Sequence, residues 1–340
     1  MANLEETGAS LSEAEIAVHW REEEYLYPPA RFIGQANASD PFIYERFNEE
    51  RFPECFREYA DLLDWDRYWH TTLDTSNPPF WKWFVGGRLN ASFNCVDRHL
   101  AARSNKAAFI WVPEPEADEP KTVTYRDLYV RVNEFAALLR GFCGLEPGDR
   151  VTFHMPMVPE LPVSMLACAR LGAVHSEVFA GFSGTACGGR IADSGSRVLV
   201  TIDGYYRDGK LLDHKAKADE ALLVAKEQGV EVEKVLVWRR HPGQYLSKSP
   251  MVEGRDYFVD EVIGDYLRQV VPPVPMPAEA PLFLMYTSGT TGKPKGAQHS
   301  TGGYLSYVAG TSKYFLDIHA DDTYWCFADI GWITGHSYIV

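Results

Sequence analysis

RVTFHMPMVPELPVSMLACARLGAVHSEVF, residues 150–179, carries the pattern that decides the fold. Arg150–His154 is an apolar run that reads as a buried strand. Pro159 to Leu171 follows with helical spacing, and His175–Phe179 reads as a second strand. On the N-terminal side, Thr124 is placed to cap a helix whose apolar face is Leu128, Val132, Phe135, Ala136 and Leu139. Gly141 and Gly144 stop that helix, and Pro147-Gly148-Asp149 turns into the first strand. On the C-terminal side the pattern predicts a helix over 184–194, a strand Val198–Ile202, a helix over 213–228 and a strand Lys234–Trp238. Strands separated by helices of about ten residues or more imply βαβ units. The expected fold class is therefore α/β, with a mostly parallel sheet covered by helices on both faces. His241 to Val274, rich in Pro and Gly, reads as a long irregular connection.

Residues 1–110 differ in character. Ser12-Glu13-Ala14-Glu15 fits a capping box and predicts a helix to about Tyr25. Trp65, Tyr68, Trp69, Phe80, Trp81, Trp83 and Phe84 crowd one stretch. Such density suits either an aromatic ligand platform or, more simply, an extension whose rings anchor onto the neighbouring domain. The expected organisation is an aromatic-rich helical extension over 1–110 followed by a domain over 111–340.

Composition narrows the function classes. The 340 residues suggest about two domains. Acidic residues outnumber basic ones 47 to 33, a net charge of −14, which disfavours non-specific binding to nucleic acid or an anionic membrane. No run approaches the roughly 18 apolar residues of a membrane helix. The first residues are acidic and lack a signal-peptide core. Six scattered cysteines without a C-x-x-C pair read as reduced thiols, and the histidines show no metal-ligand spacing. The expected setting is cytoplasmic, the expected ligands are small molecules, and no metal ligand is assigned in the chain.

The sharpest chemical signal is Thr287-Ser288-Gly289-Thr290-Thr291-Gly292-Lys293-Pro294-Lys295-Gly296, after the apolar strand Leu282–Met285. Three glycines let backbone N–H groups turn inward, four hydroxyls can donate to phosphoryl oxygens, and two lysines supply charge. The bland reading is a solvated turn with surface lysines. A Walker A loop is excluded, because only two residues separate Gly289 from Gly292, and Pro294 follows the lysine. Proline lacks the N–H and pushes Lys293 away from helical angles, which disfavours a strand-to-helix phosphate loop and with it a P-loop NTPase.

At these residues the chain resembles the adenylate-forming acyl-CoA synthetases, whose signature S/T-S/T-G-x-T-G-x-P-K is matched by Thr287–Lys295. Further blocks, Asn77–Asn90, Phe93–His99, Met165–Ala173 and Tyr324–Tyr338, narrow the resemblance to the acetyl-CoA synthetase branch, the AMP-forming acetate–CoA ligases. The resemblance implies the N-terminal portion of an adenylate-forming (AMP-binding) large domain. It also implies a two-step reaction: acetate and ATP give acetyl-adenylate and pyrophosphate, then CoA displaces AMP. Thr287, Ser288, Gly289, Thr290, Thr291, Gly292 and Lys293 would hold the ATP phosphates. Arg207, Asp208, Gly209 and Lys210 would bind CoA, with Phe179, Ala180, Gly181 and Thr334; without the resemblance, residues 207–210 read as an exposed polar loop. Ala180 stands where the family usually has glycine, so its methyl is expected to crowd the coenzyme. Ile333 and Thr334 would line the acyl pocket. Thr334 favours acetate over propionate, a preference of about 1–3 kcal/mol for one methylene. His336 is either part of that lining or a satisfied core histidine.

The family's adenine and ribose motifs, an acyl-pocket tryptophan, the Mg²⁺ ligands and the C-terminal domain with its adenylating lysine have no counterpart before Val340. The expectation is thus an N-terminal portion, inactive alone, with no certain catalytic residue. The alternatives are a ligase for propionate or another short-chain acid, or a non-catalytic chain that binds nucleotide or CoA.

Overall fold

The computed structural model describes residues 27–241, 250–287 and 294–339. The helix expected after Ser12 lies outside them. Helix α1 (Tyr125–Gly141) opens on the expected cap: Thr124 Oγ1 accepts from Asp127 N, and the Asp127 carboxylate accepts from Thr124 N. Its predicted stripe is buried. Strand β1 (Arg150–Met155) leads to α2 (Glu160–Leu171), in which every residue from Leu161 onward is buried. Gly172, at φ +73°, ends that helix in the left-handed conformation. Strand β2 (Val174–Phe179), helix α3 (Gly184–Ser194) and strand β3 (Val198–Ile202) follow. Next come a hairpin of β4 (Gly204–Arg207) and β5 (Lys210–Asp213), helix α4 (Lys215–Glu227) and strand β6 (Lys234–Trp238).

The main sheet adds β7 (Asp256–Phe258), β8 (Pro281–Thr287) and β9 (Lys295–Ser300), in the order β7-β6-β3-β1-β2-β8-β9. All neighbours are parallel except β8 and β9. Successive strand residues face opposite sides, and the sheet's two cores follow that rule. Leu199, Val235 and Val237 pack with Ile191, Ala221 and Ala225 of α3 and α4. Val200, Ile202 and Leu236 pack with Val132, Leu139 and Leu166 of α1 and α2. Each such side chain contributes roughly 1.5–3 kcal/mol when fully buried.

One connection departs from expectation. The stretch after His241 contains the edge strand β7, a helical turn Val259–Val262 and a 3-10 turn Gly264–Tyr266. Three residues are too few for a readable period. The strand is held instead by tertiary charge: Asp256 lies 2.9 Å from the fully buried Lys215 at the start of α4.

The described part of the extension consists of short helices, 3-10 turns and small ribbons, including Thr71–Asp74 paired with Lys82–Val85. The anchoring reading of the aromatics holds for most of them. Trp65, Trp69 and Phe84 pack with centroids 4.9–5.7 Å apart, and Tyr59 stacks on Tyr314 of α5 (Thr301–Tyr314). Tyr68, Phe80 and Trp81 remain exposed.

Two buried histidines make the core sensitive to acid. His154 of β1 and His214 before α4 lie with rings 4.4 Å apart, and His214 Nε2 is 2.9 Å from the carbonyl of His154. Burial depresses His154 from 6.5 to about 3 and His214 well below 6.5. The unfolded chain therefore takes up protons first, so stability falls as pH drops from about 6.5 toward 3 and is flat above. The expected loss is about 2 kcal/mol per histidine between pH 7 and pH 5. Urea midpoints at the two pH values measure it, and His154→Gln should remove one histidine's share of the slope.

Candidate functional site

In open parallel sheets, ligands bind beyond the carboxyl ends of the strands where the chain reverses direction. Here β2 and β3 lie on opposite sides of β1, and β8 runs parallel beside β2. The segments leaving β2, β3 and β8 are Phe179–Phe182, the β4–β5 hairpin, and the loop after Thr287.

The hairpin turns at Asp208 and Gly209, with φ +52° and +71°. Positive angles at both positions match the right-handed twist of the ribbon. The Asp-Gly dipeptide is a sequence signal for this turn that the reading of strands and helices did not use. The turn places Arg207 with its guanidinium 5.5 Å over the Phe179 ring. Gly181 lies against both: a Cβ there would stand 2.3 Å from the Phe179 ring and 2.6 Å from Arg207 Nη1. Thus Phe179, Gly181 and Arg207 form one surface. Asp208, Gly209 and Lys210 are exposed at the hairpin tip, where Gly209 N donates to Glu114 at 2.7 Å.

Ala180 departs from expectation. It is 2 % exposed and belongs to the main hydrophobic cluster, so its methyl is core rather than an obstruction at the surface. Its carbonyl accepts from Lys217 Nζ at 3.2 Å and from the Tyr205 hydroxyl at 3.4 Å. Burial, then the charge of Arg207, lowers the Lys217 pKa.

Trp332 packs on Phe179 and Phe182, with centroids 5.0 and 5.7 Å away. It precedes α6 (Ile333–Ile339), whose first turn exposes Ile333 and Thr334. Ile333 lines a cavity of about 530 Å³ between the extension and the β9–α5 corner, with Tyr59, Trp83, Ser300, Tyr304 and Ser337. Thr334 is not part of that lining. Gly331 N donates to Asp329 at 2.7 Å, and burial raises the Asp329 carboxyl above its ordinary value. His336 is fully buried and bonded to Tyr304 and His175.

Thr287 ends β8, exposed, at the same edge. Ser288, Gly289, Thr290, Thr291, Gly292 and Lys293 lie outside the described residues. The chain continues from Pro294 into β9, antiparallel to β8, and not into a helix. This is the consequence expected of a proline that cannot open a strand-to-helix phosphate loop. Sequence reading missed Arg190 of α3. Its guanidinium lies 4.7 Å from the Phe182 ring and 5.4 Å from the Tyr286 ring, linking the Gly181 segment to the strand before the loop. Tyr286 in turn donates to Asp193 at 2.8 Å.

The family model described as "AMP-binding enzyme" matches residues 96–340, more than half of the chain. The chain belongs to the AMP-binding enzyme family. The model described as "Acetyl-coenzyme A synthetase N-terminus" matches residues 43–95. The chain is 45% identical over 306 residues to an acetyl-coenzyme A synthetase of Pyrobaculum aerophilum, covering 88% of this chain and 45% of that protein. It is 47% identical over 321 residues to that of Wolinella succinogenes, covering 93% and 48%. It is 48% identical over 325 residues to that of Rhizobium rhizogenes strain K84, again covering 93% and 48%. This AMP-binding chain therefore spans about half the length of the curated relatives it matches. The fold is similar to that of an acetoacetyl-CoA synthetase from Streptomyces lividans, with a TM-score of 0.78 at 24% identity, covering 92% of this chain and 48% of that one.

The mostly parallel α/β architecture is thus that of an adenylate-forming enzyme, and the chain corresponds to the N-terminal half of the synthetases it matches. No helix among the described residues is long and apolar enough to cross a membrane.

Proposed function

We propose that this chain supplies the ATP-phosphate loop, the coenzyme A surface and one wall of the acyl pocket of an AMP-forming acetate–CoA ligase. The observation that carries the reading is Arg207 lying over Phe179, with Gly181 beneath, where β2 and β3 diverge. A cationic fork on a flat aromatic base, approached by a Cβ-free backbone, suits the phosphate and adenine of a nucleotide end. The names of the curated relatives support acetate as the acid.

In the first step an acetate oxygen attacks the ATP α-phosphorus, and pyrophosphate leaves. In the second the CoA sulfur attacks the acetyl carbon, and AMP leaves. Thr287 to Lys293 hold the β- and γ-phosphates. Arg207, Asp208, Gly209 and Lys210, with Phe179, Ala180 and Gly181, hold CoA, and Ala180 takes part through its backbone. Ile333 is a wall for the acetate methyl, and Thr334 borders the acyl group and the CoA path. Mg²⁺ would enter with ATP. Among the described residues, the one close group of three potential ligating side chains contains two imidazoles and is fully buried. That is not the oxygen set Mg²⁺ prefers, so no step is routed through it. Residues 1–110 act as the extension and 111–340 as the nucleotide-binding domain. The six unpaired cysteines fit a cytoplasmic setting.

Acetate-dependent ATP–pyrophosphate exchange by the complete ligase that contains this chain tests the first step, and CoA-dependent AMP release tests the second. The expected preference for acetate over propionate in kcat/KM is about tenfold to a hundredfold. Exchange faster with propionate selects the other short-chain ligase. A native protein of only these 340 residues that binds nucleotide or CoA without exchange selects a non-catalytic binder. Arg207→Ala should raise the KM for CoA about tenfold or more while leaving exchange intact; an unchanged KM removes Arg207 from the coenzyme site.

A further inference from the structure

Three fully buried side chains play no part in the reaction above. His175 and Glu177 are two residues apart on β2 and so project to the same face of the sheet. Helix α6 brings His336 onto that face. His175 Nε2 lies 3.1 Å from His336 Nε2 and 3.3 Å from Glu177 Oε1, and one ligand atom from each of the three falls within 4.8 Å of the others. All three residues are 4 % exposed or less.

As an apolar core this arrangement is poorly satisfied. Both Glu177 oxygens and His175 Nδ1 have no hydrogen-bond partner. Burying a carboxylate without a partner is costly, and native structures rarely leave one so. The 3.1 and 3.3 Å separations suit a metal site. A tetrahedral ion bound at about 2.0–2.1 Å spaces its ligand atoms about 3.3–3.4 Å apart. The outer partner is also present: His336 Nδ1 is 2.5 Å from the Tyr304 hydroxyl. An Nδ1–H donated to that oxygen leaves Nε2 free to bind a metal, as in most metal-ligating histidines. Phe283 covers the group, its ring 3.8 Å from that of His336.

We infer that His175, Glu177 and His336 form a binding site for a divalent cation of the zinc type, through two imidazole nitrogens and one carboxylate. The ion ties α6, which carries Ile333 and Thr334, to β2, which ends at Phe179. Its role is to position the two surfaces relative to each other. This inference does not depend on the ligase reading, and the site is separate from any Mg²⁺ that accompanies ATP.

The test uses the full 340-residue chain, stripped with chelator and titrated with Zn²⁺. One equivalent of zinc should remain after desalting and raise the thermal midpoint. Co²⁺ in its place should give the visible bands of a four-coordinate nitrogen–oxygen site, without the near-ultraviolet thiolate band that binding to cysteine would produce. Glu177→Val removes the orphaned carboxylate and should fold at least as well as the parent without metal, yet fail to retain zinc. Tyr304→Phe should weaken zinc binding about tenfold to a hundredfold. A cooperatively folded parent chain that retains no zinc at equimolar metal overturns the inference. So does a Glu177→Val chain that keeps its zinc, or a cobalt spectrum dominated by thiolate.

Discussion

Replacing Arg170 by alanine is expected to lower the unfolding free energy by about 3–5 kcal/mol. Arg170 is 1 % exposed in the last turn of α2, where the helix dipole already favours a cation. Its guanidinium forms a two-pronged pair with Asp97, at 2.7 and 2.9 Å. It also donates to the Val271 carbonyl and to Ser92 Oγ, and lies 5.7 Å from the Tyr129 ring. Beside it, Asn90 Nδ2 donates to the carbonyls of Ala169 and Val274, each at 2.8 Å. One side chain thus joins the extension, α2 and the segment that leads to β8. Truncation leaves Asp97 largely buried without its cation, which is why removing one partner costs more than the pair is worth. Denaturant midpoints measure the loss. Arg170→Met combined with Asp97→Leu should recover much of it, because two apolar side chains leave no charge to desolvate. If Arg170→Ala and the double variant have the same midpoint, the loss comes from packing, not from the orphaned charge.

In the complete ligase that contains this chain, replacing Lys293 by alanine is expected to slow acetate-dependent ATP–pyrophosphate exchange by about 10²–10³. A chain at −14 repels a polyanion overall, so on the proposed reading the ATP phosphates would be held by a local arrangement of donors. On the proposed reading Lys293, one of the two lysines within Thr287–Lys295, would provide a positive charge as pyrophosphate leaves. The same variant should form acetyl-CoA from preformed acetyl-adenylate at a rate within a few-fold of the parent, because no pyrophosphate departs in that step. Equal losses in both steps would place Lys293 in the fold rather than in phosphate binding. An unchanged exchange rate would remove it from the site.

Most of the sheet and its helices are legible in the sequence. The stripe from Leu128 to Leu139, the Thr124 cap and the runs at 150–154, 175–179, 198–202 and 234–238 encode their own structure within a few residues. Helical and strand periods are properties of near neighbours. The exclusion of a strand-to-helix phosphate loop was legible for the same reason, since Pro294 acts on the residue beside it. The β4–β5 hairpin was half-legible, in Asp208-Gly209. Strand β7 was not, because a three-residue element has no period and its retention depends on Lys215.

The sequence by itself therefore determined the α/β class, the alternation of elements and the residue types offered for phosphate and coenzyme. Those follow from local sterics, burial and charge. Only the tertiary structure decided which of these residues meet. Arg170 finds Asp97 across 73 positions, and His175 finds His336 across 161. It also turned Ala180 into the core while leaving Arg207 over Phe179. Such encounters depend on how whole elements stack, and no spacing along the chain records them.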